Sequence, residues 1–108
     1  MNIIYPTLFY KEKEGGFSVF IPDLDNISTC GNTLEEAIKM TQELIAIIIL
    51  DKLKNKETIP NRSNIENISF KKLEDYLQIE DWDYVSKFKS YILVDLNKFK
   101  FLKEGNHE

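Results

Sequence analysis

The sequence predicts an α+β domain of the compact β-β-β-α-β type, in which an antiparallel sheet packs on one long helix. Three observations predict it. Residues 3–31 contain short strand-like segments separated by turn residues. Residues 33–53 carry apolar side chains at three- and four-residue steps, which is typical of a helix with one buried face. A last segment rich in β-branched and apolar residues, 91–96, predicts a further strand.

The first strand is predicted at residues 3–10, which are rich in aromatic and β-branched side chains. Its odd-numbered and even-numbered residues point to opposite faces of a sheet. Pro6 has no N–H group to donate to a neighbouring strand. We therefore expect either that this strand lies at an edge of the sheet or that its pairing begins at the proline.

Two further strands, at residues 17–21 and 27–30, complete a predicted antiparallel meander. Gly15 and Gly16 precede the first of them, and glycine readily takes the positive φ that hairpin turns require. Residues 22–26 read Pro-Asp-Leu-Asp-Asn, a composition typical of a turn.

A long helix is predicted to begin after Thr33, because Thr33 and Glu36 have the spacing of a capping box. The apolar stripe that we expect to face the sheet consists of Leu34, Ala37, Ile38, Thr41, Leu44, Ile45 and Ile48. Four further apolar residues fall outside this stripe, namely Met40, Ile47, Leu50 and Leu53. Either later segments of the chain cover these four, or they form an interface in a homodimer or higher homo-oligomer.

Beyond this helix the sequence predicts smaller elements. Pro60 lies in a polar connection that follows the helix. Residues 69–77 predict a short second helix, and residues 81–87 predict a further helical turn before the last strand. We expect one domain over residues 1–96, followed by a short tail at 97–108, because 108 residues of 43% hydrophobic content suffice for one core.

The composition favours a soluble acidic protein with a basic protein partner. The formal net charge is −4, which disfavours a dedicated binder of nucleic-acid phosphates. The longest apolar run, at residues 44–50, is far shorter than the roughly 20 residues that cross a bilayer. The first residues lack the pattern of a secretory signal, so we expect no membrane association and a cytoplasmic location.

The sequence offers few groups for catalysis. The only histidine, His107, is second from the end, and the single cysteine, Cys30, has no evident activating partner. Neither a phosphate-binding nor a dinucleotide-binding glycine motif is present. We therefore predict a protein that is not an enzyme, with no catalytic residues, no metal site and no cofactor.

One catalytic alternative rests on carboxylates. Asp23, Asp25, Glu36 and Glu43 would serve a ribonuclease-H-like nuclease if they shared a magnesium ion. Turn chemistry and helix capping explain the same residues without a metal, so the nuclease is the less favoured hypothesis.

The order of four motifs resembles the N-terminal domain of the HicB antitoxin family. The motifs are Tyr5-Pro6, then GGFSV at residues 15–19, IPDL at 21–24 and TCGNTLEEA at 29–37. Each motif is weak alone, but the four occur in the family's order and spacing. The later proline and the strand at 92–96 extend the resemblance over nearly the whole chain.

This resemblance implies a partial ribonuclease-H-like, or double-stranded-RNA-binding-like, domain without catalytic carboxylates. It also implies an antitoxin of a type II toxin–antitoxin system, which binds and occludes a HicA-like basic toxin that cleaves messenger RNA. Family members commonly carry a C-terminal DNA-binding module. Only twelve residues follow Leu96, so we expect no direct DNA binding from this chain.

We expect the toxin partner to meet the first hairpin and the turn that follows it, where acidic side chains and an apolar anchor occur together. The predicted partner-binding residues are Tyr10, Glu12, Glu14, Phe20, Asp23 and Asp25. The alternative function is that of an orphan homo-oligomeric interaction domain without a toxin partner.

Overall fold

The computed structural model describes residues 1–99 and confirms the predicted α+β class. Four antiparallel strands form one sheet in the order β3-β2-β1-β4. The strands are β1 (Asn2–Glu12), β2 (Phe17–Ile21), β3 (Ile27–Gly31) and β4 (Tyr84–Asp95). The helices are α1 (Leu34–Lys54) and α2 (Phe70–Leu77), and short 3-10 turns occur at Pro22–Leu24, Ile65–Asn67 and Leu96–Phe99.

Strand β1 lies inside the sheet and pairs with β2 and β4. Its pairing with β4 extends from Asn2 opposite Asp95 to Glu12 opposite Tyr84. Its pairing with β2 begins at Leu8, two residues after Pro6. Of the two alternatives for the proline, the edge strand is therefore wrong, and the missing N–H group precedes the pairing with β2.

The odd-numbered face of β1 packs on α1. Tyr5 and Phe9 lie in one buried cluster with Ile45, Ala46 and Ile49. Ala46 and Ile49 were not part of the predicted stripe, whereas Leu34 belongs to that stripe and is exposed. The buried face of α1 is rotated from the prediction because the core also includes side chains beyond β4, such as Leu96.

The start of α1 is fixed by its predicted cap and by one glycine. The Glu36 backbone N–H donates to the Thr33 hydroxyl at 3.1 Å, and the Glu36 carboxylate accepts from the Asn32 N–H at 3.0 Å. Gly31, at the end of β3, is buried against the first turn of α1. A Cβ atom at Gly31 would lie 2.7 Å from the Ala37 Cα, so any larger residue there displaces the helix.

The even-numbered face of β1 is covered by α2 and the residues around it. Leu8 and Tyr10 are buried in a second cluster with Phe20, Ile68 and Leu73. The sheet therefore has a helix against each face, whereas the sequence predicted packing against the long helix alone.

Tyr10 is the centre of this second cluster. Its ring stacks on Trp82 with centroids 4.1 Å apart. It makes edge-to-face contacts with Tyr84 at 5.1 Å, Phe70 at 5.7 Å and Phe20 at 5.9 Å. These contacts join β1, β2 and α2 to the chain that leads into β4.

The hydroxyl group of Tyr10 forms a hydrogen bond on the α2 side of the sheet. It donates to Glu74 Oε2 at 2.8 Å, and Lys87 Nζ donates to the same oxygen at 2.8 Å. Burial and the hydrogen bond to Glu74 raise the pKa of Tyr10 above its ordinary value. Burial tends to raise the pKa of Glu74, but the hydrogen bonds from Lys87 and Tyr10 outweigh it and the pKa is lowered. We call these three residues the Tyr10–Glu74–Lys87 triad.

The predicted helical turn at 81–87 is wrong, because β4 begins at Tyr84 rather than at residue 91. Lys87 lies opposite Tyr10 and Ser86 lies opposite Lys11, so backbone pairing with β1 determines the conformation of this segment. Asp81, just before the strand, has φ of +54°, which a helix does not allow.

Substitution of Gly31 by alanine tests the close approach between β3 and α1. We expect Gly31→Ala to lower the free energy of unfolding by about 1–3 kcal/mol. The new Cβ atom would clash with backbone atoms of α1, which cannot move aside as a flexible side chain could. Urea denaturation measures the loss. The matched control is Cys30→Ala at the exposed neighbouring position, with an expected change within about 0.5 kcal/mol. Equal stability of the two variants would contradict the packing described.

Substitution of Glu74 by glutamine tests the triad. The glutamine amide oxygen still accepts from Tyr10, but Lys87 loses its charged acceptor. We therefore expect Glu74→Gln to lower the free energy of unfolding by about 1–2 kcal/mol at about pH 7. The pKa of Glu74 is lower in the folded state than in the unfolded state. The carboxylate therefore stabilises the fold at pH values above its unfolded-state pKa, and this stabilisation is lost as the pH falls through the folded-state pKa. The difference in free energy of unfolding between Glu74→Gln and the parent should therefore shrink in acid.

The control for this substitution is Asp75→Asn, which removes an exposed ion pair with Lys71 and should change stability by less than about 1 kcal/mol. Thermal or urea unfolding at about pH 7 and about pH 3 makes the comparison. A loss in Glu74→Gln that is the same at both pH values would contradict the role assigned to the carboxylate.

Candidate partner-binding surface

The tip of the β1–β2 hairpin contacts the connection between α2 and β4. The Lys13 backbone N–H donates to the Asp83 carbonyl at 3.0 Å, and the side chains of the two residues form an exposed ion pair at 3.7 Å. Trp82 Nε1 donates to both carboxylate oxygens of Glu12, at 3.0 and 3.1 Å. We call the surface formed by residues 12–16 and 75–83 the acidic surface.

The acidic surface combines negative charge with exposed apolar side chains. Its exposed carboxylates are those of Glu14, Asp75, Glu80, Asp81 and Asp83. Lys13 is the one basic residue in the sequence of these two segments. Ile79 is 50% exposed, next in sequence to Glu80. Tyr76 is 66% exposed and lines a separate groove with Asp23, Ser63 and Lys72.

The two predicted hairpin acids have different environments. Glu14 is exposed at the hairpin tip and lies in the acidic surface. Glu12 is half-buried, and its carboxylate is held by Trp82. Glu12 therefore connects the hairpin to residues 82–84, and Glu14 is the hairpin carboxylate that is accessible to a partner.

The two predicted acids after β2 serve the fold in different ways. Asp23 Oδ2 accepts from the Ser63 N–H at 2.8 Å, and Asp23 Oδ1 accepts from the Ser63 hydroxyl at 2.6 Å. A bond at 2.6 Å from the Tyr5 hydroxyl to the Pro60 carbonyl holds the same connection against the sheet. Asp25 is exposed and has φ of +59°, the left-handed conformation of the turn.

Tyr10 and Phe20, also predicted as partner contacts, are buried in this structure. Tyr10 is inaccessible to solvent, and Phe20 is 8% exposed. Both rings contact Trp82, with centroids 4.1 and 5.7 Å from it. They support the acidic surface from beneath and do not form part of it.

The four helix residues outside the predicted stripe are not equivalent. Leu50 is half-buried against the core. Met40, Ile47 and Leu53 are exposed, so within residues 1–99 no later segment covers these three. Their role in a subunit interface stays a prediction.

The carboxylates of the nuclease hypothesis do not converge. Asp23 is bound to Ser63 and Glu36 to Asn32, as described above. In the described part of the chain, no three His, Cys, Asp or Glu side chains are grouped closely enough to hold a metal ion. His107 lies outside the described residues. No helix in the described part is both long and apolar enough to span a membrane.

Sequence reasoning missed the connection between α2 and β4 as a candidate site. The available signal was composition, since residues 74–83 contain five acidic residues and no lysine or arginine. The predicted helical turn at 81–87 concealed part of this signal, because a helix would have placed Asp81 and Asp83 on different sides of the chain.

Comparisons with solved structures identify the same fold in known antitoxins. A toxin–antitoxin complex from Streptococcus pneumoniae matches with 27% identity and a TM-score of 0.75, covering 92% of this chain and 73% of the matched chain. The N-terminal domain of antitoxin HicB from Burkholderia pseudomallei matches with 20% identity and a TM-score of 0.65, covering 86% of this chain and 99% of that one.

A complex of HicA3 and HicB3 matches with 22% identity and a TM-score of 0.60, covering 86% of this chain and 99% of the matched one. A search of curated protein sequences finds no significant match. A family model described as "HicB_like antitoxin of bacterial toxin-antitoxin system" matches residues 5–100. The chain therefore belongs to the HicB-like antitoxin family of bacterial toxin–antitoxin systems.

Proposed function

We propose that this antitoxin neutralises a HicA-like toxin, a basic ribonuclease that cleaves messenger RNA, by binding to it and covering its active site in the cytoplasm. The observation that carries the proposal is the family match over residues 5–100, on a fold shared with a 27% identical chain of a toxin–antitoxin complex. A further solved structure of this fold is a complex that contains a HicA3 toxin. The antitoxin would thus inhibit the toxin by binding to it, without catalysing a reaction.

The acidic surface is the part of the molecule that we assign to the toxin. Carboxylates at Glu14, Glu80 and Asp81 are exposed, and no hydrogen bond within the described chain occupies them. Clustered negative charge accelerates the encounter with a basic protein and disfavours acidic partners. Ile79, which precedes Glu80 in the same segment, supplies exposed apolar area for such an interface.

The surface is held in a defined shape before binding. The hairpin tip is tied to Asp83, and Trp82 is bound by Glu12 and packed on Tyr10. A surface that is already ordered loses less conformational entropy when a partner binds. The predicted acids Glu12 and Asp23 thus contribute to affinity through the fold, whereas Glu14 acts as a direct contact.

A second candidate function is an orphan homo-oligomeric domain without a toxin partner. The exposed apolar residues Met40 and Ile47 of α1 favour it, because they share the side of the helix that faces away from the sheet. In that case Ile47→Glu would abolish assembly, and no toxin would bind to the parent chain.

A charge-reversal pair tests the assigned surface. We expect Glu14→Lys with Glu80→Lys to raise the Kd for a catalytically inactive toxin from the neighbouring gene by about 10- to 100-fold, mainly through slower association. The matched control is Glu43→Lys with Asp51→Lys on α1, which makes the same change in net charge. Biolayer interferometry at two salt concentrations measures both rates.

Equal affinity of the two double variants would remove the acidic surface from the interface while leaving the antitoxin function intact. Failure of the parent chain to bind the toxin at all would contradict the function itself.

A further inference from the structure

Among the described residues, strand β4 leaves one long edge of the sheet unpaired. It has 12 residues and pairs with β1 along its length, and the sheet ends there. Within residues 1–99 no strand lies on its other side. The opposite edge strand, β3, has only five residues. A long free edge presents a row of backbone donors and acceptors to which another strand can be added.

The usual features that protect such an edge are weak in β4. The strand has no proline, and its one irregularity lies at the end opposite Lys11 and Glu12. Lysines commonly guard an edge, but here both are held over the α2 face of the sheet. Lys87 Nζ donates to Glu74 at 2.8 Å, and Lys89 Nζ donates to the Ile65 carbonyl at 3.2 Å.

Apolar side chains of β4 are exposed along this edge. Val85 is 63% exposed, Leu93 is 55% exposed and Phe88 is 37% exposed. The Phe88 ring stacks in parallel on Phe9, with centroids 4.8 Å apart, and is therefore fixed in position. One side chain approaches the edge, since Gln42 Nε2 donates to the Leu93 carbonyl at 3.1 Å. A carbonyl oxygen has a second lone pair, so this bond does not block strand addition.

We propose that β4 pairs antiparallel with β4 of a second copy of this chain, about a twofold axis at Ser90, to form one continuous sheet across a homodimer. This inference goes beyond the proposed function, because the β4 edge and the acidic surface are different parts of the molecule. An interface in which the same patch meets itself is the commonest arrangement in protein dimers.

The register centred on Ser90 is self-complementary. It places Phe88 of one copy opposite Ile92 of the other on the α1 face, an aromatic–aliphatic pair that stabilises a sheet. On the other face it places Lys87 opposite Leu93 and diagonal to Asp95 of the second copy. No two charges of the same sign lie directly opposite each other between residues 85 and 95. A register centred on Phe88 would instead oppose Lys87 and Lys89, which is unfavourable.

The solution mass of the full chain tests the proposal first, by size-exclusion chromatography with light scattering over a dilution series. We expect a dimer in the parent and a rise of about tenfold or more in the dimer Kd of Leu93→Lys, because that variant sets a lysine opposite Lys87 twice in each dimer. The matched control is Ile47→Lys on α1, which should keep the parent's dimer.

Cross-linking provides a second test that does not depend on the fold tolerating a new charge. In a Cys30→Ser background, Ser90→Cys at the twofold axis should give a covalent dimer with a short bis-maleimide, whereas Ser28→Cys on β3 should not. A parent that stays monomeric up to its solubility limit would overturn the proposal. So would a dimer that Ile47→Lys dissociates and Leu93→Lys leaves intact, or a Ser90→Cys variant that cross-links to the toxin and not to itself.

Discussion

The packing of α2 against the sheet depends on one buried hydroxyl group, that of Tyr10. Tyr10 donates to Glu74, and Lys87 donates to the same carboxylate oxygen, so a single acceptor joins β1, α2 and β4. The charges in the Tyr10–Glu74–Lys87 triad offset each other, and the Tyr10 ring fills the space between α2 and the sheet. The short helix α2 depends on this attachment and on the burial of Leu73, because eight residues are too few for a stable isolated helix.

The packing around Tyr10 also positions the acidic surface. Trp82 packs on the Tyr10 ring and donates to Glu12, which holds the connection between α2 and β4 against the hairpin tip. Glu14 and Glu80 are exposed, and they belong to the two segments of the chain that meet at this junction. The buried packing of Trp82 on Tyr10 therefore helps to hold the exposed carboxylates of the acidic surface in place.

The elements with local signals could be predicted from sequence, and those set by distant contacts could not. The Thr33 cap and the β2 strand were predicted at their observed positions, since capping and turn chemistry act within a few residues. The start of β4 at Tyr84 was missed because pairing with β1, more than 70 residues earlier, determines it. Likewise, nothing in the pattern of residues 22–26 indicates that Asp23 binds Ser63, so its carboxylate looked available.

The central claim is that the Tyr10 hydroxyl anchors α2 and the acidic connection to the sheet, and amide hydrogen exchange tests it most directly. In Tyr10→Phe the ring contacts remain and only the bond to Glu74 is lost. We expect exchange to accelerate by about tenfold across residues 70–83 while α1 keeps the parent's rates, because a lost hydrogen bond to a charged group costs about 1.5 kcal/mol of local stability. Unchanged exchange at 70–83, or an equal acceleration in α1, would contradict the claim.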